Sequence, residues 1–115
     1  MGRLSKKTYT MLATLAVAVG TTMPAIAFGG ARAASSHTVI LKNVRFHPGT
    51  LTIHRGDAVT WLWRDREEHN ITFHGLHSRT MTHGSYAVRF TRSGTFNYRC
   101  TIHASEGMKG KIVVH

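Results

Sequence analysis

Gly94-Thr95-Phe96-Asn97-Tyr98-Arg99-Cys100 runs directly into Thr101-Ile102-His103-Ala104-Ser105-Glu106-Gly107-Met108-Lys109-Gly110, and the two halves of this stretch read differently. In the first half Phe96, Tyr98 and Cys100 alternate with polar residues, the period of a strand that buries one face. In the second half the alternation stops. Gly107 and Gly110 break the chain, and a thiol, an imidazole and a thioether fall within one short loop.

Three such donors in one loop can converge on a metal ion. A thiolate and a thioether are soft ligands that favour copper over zinc, and two histidines, a cysteine and a weak axial methionine form the donor set of blue-copper electron-transfer sites. Zinc is the competing reading, but it is more often held by additional cysteines or histidines at paired spacing. The loop supplies His103 alone, so a second histidine must come from elsewhere.

Upstream, residues 38–46 are β-rich, Pro48-Gly49 is a turn, and Leu51 and Ile53 alternate with polar neighbours. Gly56-Asp57 turns again, after which Val59, Trp61 and Trp63 share one face. Asp65-Arg66-Glu67-Glu68 reads as a charged connection, residues 69–73 return to strand period, and residues 75–84 read as a long polar loop containing His77, Met81 and His83. Tyr86, Val88 and Phe90 alternate, and residues 111–115 close the chain as a strand. Short strands with glycine-centred turns and no amphipathic helix predict an all-β fold, a sandwich or barrel.

Strand parity selects the second histidine. His69 falls on the same face as Ile71 and Phe73, and Cys100 on that of Phe96 and Tyr98, so both side chains are directed inward at strand ends. His54 is out of phase with Leu51 and Ile53, and His74 with Phe73. The expected ligands are His69, Cys100, His103 and Met108.

The chain has 115 residues, room for one domain. Its beginning reads as an export signal: Arg3, Lys6 and Lys7, an apolar run from Met11 to Val19, and small-residue sites at Ala25-Ile26-Ala27 and Ala31-Arg32-Ala33. Cleavage after Ala27 or Ala33 leaves a single domain over residues 34–115. Without cleavage, the uncharged run would tether it to a membrane. The expected location is the periplasm or the extracellular side of the cell envelope. An unpaired cysteine there has no disulfide partner, and metal ligation accounts for it; an inert buried thiol or an intermolecular disulfide is the other reading.

From residue 34 on, eleven Lys and Arg stand against five Asp and Glu. The cations are scattered along strands without a nucleic-acid-binding motif, so no nucleic-acid partner is expected. A basic surface suits an acidic protein partner or an anionic membrane face.

With Phe46-His47-Pro48, Leu51-Thr52-Ile53, residues 56–61 (Gly-Asp-Ala-Val-Thr-Trp), His69-Asn70-Ile71 and the stretch from Gly94 to Gly110 in view, the sequence resembles the cupredoxin family, the small blue copper proteins. Cys100, His103 and Met108 have the spacing of plastocyanin-like members, and Gly107 before Met108 matches too. Amicyanin-like members have a shorter loop, commonly with proline after its histidine, where this chain has Ala104.

The resemblance implies a Greek-key β-sandwich with one type 1 copper at one end, held by His69, Cys100, His103 and axial Met108. It implies that Asn70 ties the first histidine's strand to the ligand loop around Thr101, and that electrons leave through His103. Pro48, Ala104, Gly107 and Met108 are the candidates for the apolar patch around that exit. The implied function is single-electron transfer between redox proteins through brief docking, by a monomer and without catalysis.

A copper-binding or copper-delivery protein is the alternative, supported by nine histidines and by His74, His77, Met81 and His83 in one polar stretch. Ordinary solvated histidines are the simpler reading of that stretch. A copper-free structural or adhesion module would leave the inward-facing thiol and histidines unexplained.

Overall fold

The computed structural model describes residues 32–115; all but the last two residues of the expected export signal, and its first cleavage site, lie outside the described residues. Nine strands pack as two sheets: β1 (Ser36–Lys42), β2 (Arg45–His47), β3 (Thr50–Ile53), β4 (Ala58–His69), β5 (Thr72–Phe73), β6 (Leu76–His77), β7 (Met81–Arg89), β8 (Gly94–Arg99) and β9 (Lys109–Val114). One sheet has the order β2-β1-β4-β7 and the other β3-β9-β8-β5-β6. β1 runs parallel to β4 and β3 parallel to β9, and the other pairings are antiparallel. The expected all-β class is the observed one. Among the described residues the single helical turn is the 3-10 segment Ala104–Glu106 in the ligand loop. No helix among the described residues is long and apolar enough to cross a membrane.

The alternation read from the sequence becomes the core. Val39, Leu41, Val59, Trp61 and Trp63 are buried from one sheet, and Ile53, Tyr98, Ile112 and Val114 from the other. Trp61 is an aromatic hub, its ring centroid 5.3 Å from that of Tyr98 and 5.7 Å from that of Phe73, both edge-to-face. Burying one such side chain contributes about 2–3 kcal/mol and edge-to-face pairing about 1 kcal/mol more.

Two expectations of irregular chain are corrected. Residues 65–68 belong to β4, which extends to His69; pairing with β7 passes from Arg64↔His83 to His69↔Met81, so four residues stand opposite Thr82 alone. They form a wide bulge out of the ladder. The polar stretch 75–84 also contracts, because Leu76 and His77 pair with β5 and β7 already begins at Met81. Only residues 78–80 remain irregular between the two strands, since backbone pairing with neighbours decides strand formation.

Candidate metal centre

Two strand ends, one from each sheet, meet at one pole of the sandwich. β4 delivers His69, fully buried, and the buried Trp63 indole N–H donates to the His69 carbonyl at 2.8 Å. β8 delivers Cys100, also fully buried. The loop between Cys100 and β9 folds onto itself: Cys100 N–H donates to the Met108 carbonyl at 3.1 Å, and the His103 carbonyl accepts from Glu106 N–H at 2.9 Å and Met108 N–H at 3.2 Å. Gly107 closes the helical turn in the left-handed region with φ 91°, which glycine adopts without a Cβ penalty.

Within this frame His69 Nδ1 lies 3.2 Å from His103 Nδ1, and Cys100 Sγ lies 3.9 Å from the former and 3.6 Å from the latter. A triangle with these sides has a centre about 2.1 Å from each corner, close to the ~2.0–2.1 Å and ~2.3 Å that metal–imidazole and metal–thiolate bonds require. The three donors are buried, and no other group of three His, Cys, Asp or Glu donors converges in this way among the described residues.

The orientation of His69 is held from behind. Its Nε2–H donates to Asp65 Oδ2 at 2.8 Å, and an ionised carboxylate only accepts, so the His69 Nδ1 lone pair faces the cluster. Two inward-facing imidazole nitrogens and a sulfur at these separations repel one another unless a proton or cation lies between them. The donor set fits copper. Burial of Asp65 acts to raise its pKa, but hydrogen bonds from His69 and from the Val44 and Arg66 amides outweigh it and hold the carboxyl down at about 2.

Met108 is fully buried in the same apolar cluster as Cys100. Asn70 spans the two ligand-bearing segments: its Nδ2–H donates to Thr101 Oγ1 at 2.8 Å, and its Oδ1 accepts from Thr101 N–H at 3.1 Å. The contact that the family resemblance placed around Thr101 is present. His103 keeps 9% of its surface exposed, whereas His69 has none. Burial removes Met108 from the expected surface patch, whereas Ile102 of the same loop is 46% exposed.

His74, His77 and His83 do not converge. His77 lies on β6 of one sheet and His83 on β7 of the other, where their ring nitrogens meet the Ser78 carbonyl and the Thr82 hydroxyl. Sequence reasoning missed Asp65, Trp63 and Glu67 as neighbours of the site. The signal for Asp65 was a carboxylate four residues before an inward-facing histidine, and it was hidden because residues 65–68 read as a connection.

Comparison with known proteins agrees with this geometry. The family described as copper binding proteins, plastocyanin/azurin family, matches residues 33–115. Amicyanin from Paracoccus denitrificans is 32% identical over 112 residues, covering 89% of this chain and 84% of its own. Chloroplastic plastocyanin from Tetradesmus obliquus is 34% identical over 83 residues, covering 60% of this chain and 57% of its own. Among solved structures, a Cu(I) amicyanin with a methionine-to-glutamine substitution superposes with TM-score 0.64 at 31% identity, covering 70% of this chain and 82% of that one.

Proposed function

The chain belongs to the plastocyanin/azurin family of copper-binding proteins, and we propose that it is a type 1 copper electron carrier working outside the cytoplasm between redox partners. The observation that carries this reading is the buried triangle of His69 Nδ1, His103 Nδ1 and Cys100 Sγ. Copper bound there supplies the one-electron Cu(I)/Cu(II) couple.

His69, Cys100 and His103 would hold the metal, and Met108, buried in the same loop, would supply a thioether donor. The Asp65 carboxylate fixes the tautomer and ring orientation of His69. Asn70 braces the ligand loop against the end of β4, so the donors keep their places when the charge at the site changes. Burial of all but an edge of His103 excludes water, and that edge is the path by which an electron leaves. An export signal at residues 1–33, cleaved after Ala27 or Ala33, would deliver the domain to the periplasm or the extracellular side of the cell envelope. Docking is transient, since a shuttle must release its partner quickly.

The test is a Cu(II) titration of the purified domain followed by visible absorption. An intense band that saturates at one equivalent, bleaches with a mild reductant and is absent from Cys100→Ser is the expected result. Colourless binding, or several equivalents lost together in His74→Ala/His77→Ala/His83→Ala, would replace the carrier by a copper-delivery protein.

A further inference from the structure

Asp57 marks the pole of the sandwich opposite the metal centre, since it precedes the first residue of β4 whereas His69 ends that strand. At the ~3.3 Å per residue of a strand, and allowing for the bulge, the two ends stand roughly 30 Å apart. The polypeptide enters the domain at this pole. Arg32 and the Ser35 amide both donate to Asp57 Oδ1, and the Ser35 carbonyl accepts from Ala58 N–H at 3.0 Å. The uncharged run of residues 11–28 ends only a few positions before Arg32.

Charge at this pole is of one sign. Arg32, His54, Arg55, Arg92 and His115 are exposed, while the one side-chain carboxylate, Asp57, is fully buried and accepts from Arg32, Ser35, His37 and His54. The exposed carboxylates, Glu67, Glu68 and Glu106, are all at the other end, with Glu67 Oε1 3.9 Å from His103 Nε2.

Two hollows adjoin here. Arg32, His54, Arg55, Thr91 and His115 line the first, which is cationic. Phe73, Leu76, Val88, Phe90 and Phe96 line the second, with Arg92 and again Thr91, so that cations and hydrocarbon surface are continuous. The second hollow measures about 240 Å³, below the ~300–1,000 Å³ of sites that enclose a whole small molecule, and suits the end of a chain rather than a complete ligand. Leu76, which lines it, is 42% exposed. A small anion would use only the first hollow. A molecule with an anionic head and a hydrocarbon tail uses both.

We propose that this pole seats on the anionic phospholipid surface of the membrane, with a headgroup phosphate against Arg32 and Arg55 and part of an acyl chain in the adjoining hollow. The point of chain entry agrees, because the uncharged run is joined to the domain at the same pole. On the electron-carrier reading the His103 edge then faces away from the membrane and stays open to partners. The seating itself does not depend on copper, so a failed copper titration leaves its test untouched.

The test uses the metal-free chain from Phe28 on, the product of cleavage after Ala27, which contains all nine strands and Arg32. It is mixed with vesicles of phosphatidylcholine, alone or with about one third phosphatidylglycerol, and the bound fraction is read by sedimentation. Each arginine near an anionic surface strengthens binding about fivefold. The expected result is binding to the phosphatidylglycerol vesicles only, lost at high salt and weakened about 25-fold in Arg55→Gln/Arg92→Gln at an unchanged melting temperature. Lys42→Gln/Arg64→Gln removes the same charge from the half nearer the metal centre and should weaken binding less than about twofold. Equal weakening in the two double variants, or equal binding to phosphatidylcholine alone, overturns the proposal. A second measurement follows amide signals with dihexanoyl-phosphatidylglycerol below its micelle concentration, which should shift residues 54–55 and 74–76 together, whereas glycerol phosphate should shift only the former. Shifts confined to residues 54–55 with both, as for a pole that binds any anion or an acidic protein, overturn it as well.

Discussion

Asp65 Oδ2 lies 2.8 Å from His69 Nε2, and the same oxygen accepts the Val44 amide at 2.8 Å. One carboxylate thus joins the β1–β2 turn, where Asn43 and Val44 both have positive φ, to the inward-facing histidine of β4. A left-handed backbone is unusual for β-branched valine, and the bond to Asp65 helps hold it there. Asp65→Asn keeps the shape and removes the charge that fixes the His69 tautomer. Copper affinity measured by competition with a chelator should fall about 10–100-fold, the usual effect of losing such an outer partner. Unchanged affinity would show that packing alone orients the ring.

Met108 is fully buried, so its removal has a packing cost separable from any ligand role. Met108→Ala should cost about 2–5 kcal/mol in urea unfolding of the metal-free domain, whereas Met108→Leu should cost under ~1.5 kcal/mol. If the thioether is the axial donor, Met108→Leu still shifts the reduction potential. A stable leucine variant with the parental potential would remove Met108 from the ligand set.

Asn70 donates to Thr101 and Thr80 and accepts from Thr101 and Thr72. Asn70→Ala leaves the Thr101 amide without its partner, for a loss of about 1–3 kcal/mol. The accompanying functional sign is a slower electron self-exchange rate, since the loop is then free to move between oxidation states. Self-exchange at the parental rate in a destabilised protein would confine Asn70 to a structural role.

Asp57 gives the domain an acid limit. The carboxylate is fully buried and accepts the Ser35 and His54 amides at 2.9 and 3.1 Å and the His37 and Arg32 side chains at 3.0 Å. Burial acts to raise its pKa, but these bonds outweigh it and hold the group well below the usual carboxylate range. A folded value below the unfolded one, about 3.9, means that the ionised group stabilises the fold above roughly pH 4 and that this contribution is lost as pH falls toward the folded value. Unfolding free energy of the metal-free domain should drop steeply below pH 4. Asp57→Asn should lower it by about 2–4 kcal/mol at pH 7 and flatten the acid slope. An unaltered slope would assign acid lability to other groups.

Gly110 has no room for a side chain. It faces Tyr98 across the β8–β9 ladder, and a Cβ there would stand 2.5 Å from the Tyr98 ring. The ring is packed against Phe46, Phe73 and Trp61 and cannot move aside. Gly110→Ala should cost about 1–3 kcal/mol as overpacking, read as a lowered melting temperature of the metal-free domain. A melting temperature equal to the parent's would show that the ladder can shift at this point.

The sequence by itself determined the all-β class and the inward direction of the donors. Residues two apart on a strand share a face, so the alternation of Phe96, Tyr98 and Cys100 carries its information within a few positions. His69 is buried as expected, but not by sharing a strand with Ile71 and Phe73: it ends β4, and Phe73 lies on β5 of the other sheet. The donor types in the Cys100–Met108 loop are equally local. What no local pattern could decide is that the end of β4 meets the end of β8, because these strands lie in different sheets and their approach depends on how two layers pack. The same cause explains the misread stretches. Residues 65–68 are charged and residues 76–77 and 81–83 mostly polar, yet pairing with partners elsewhere in the chain makes them a strand bulge and strand ends. Only that bulge brings Asp65 behind His69 and Glu67 beside His103, so the groups that orient the site and charge its rim were settled by contacts between layers.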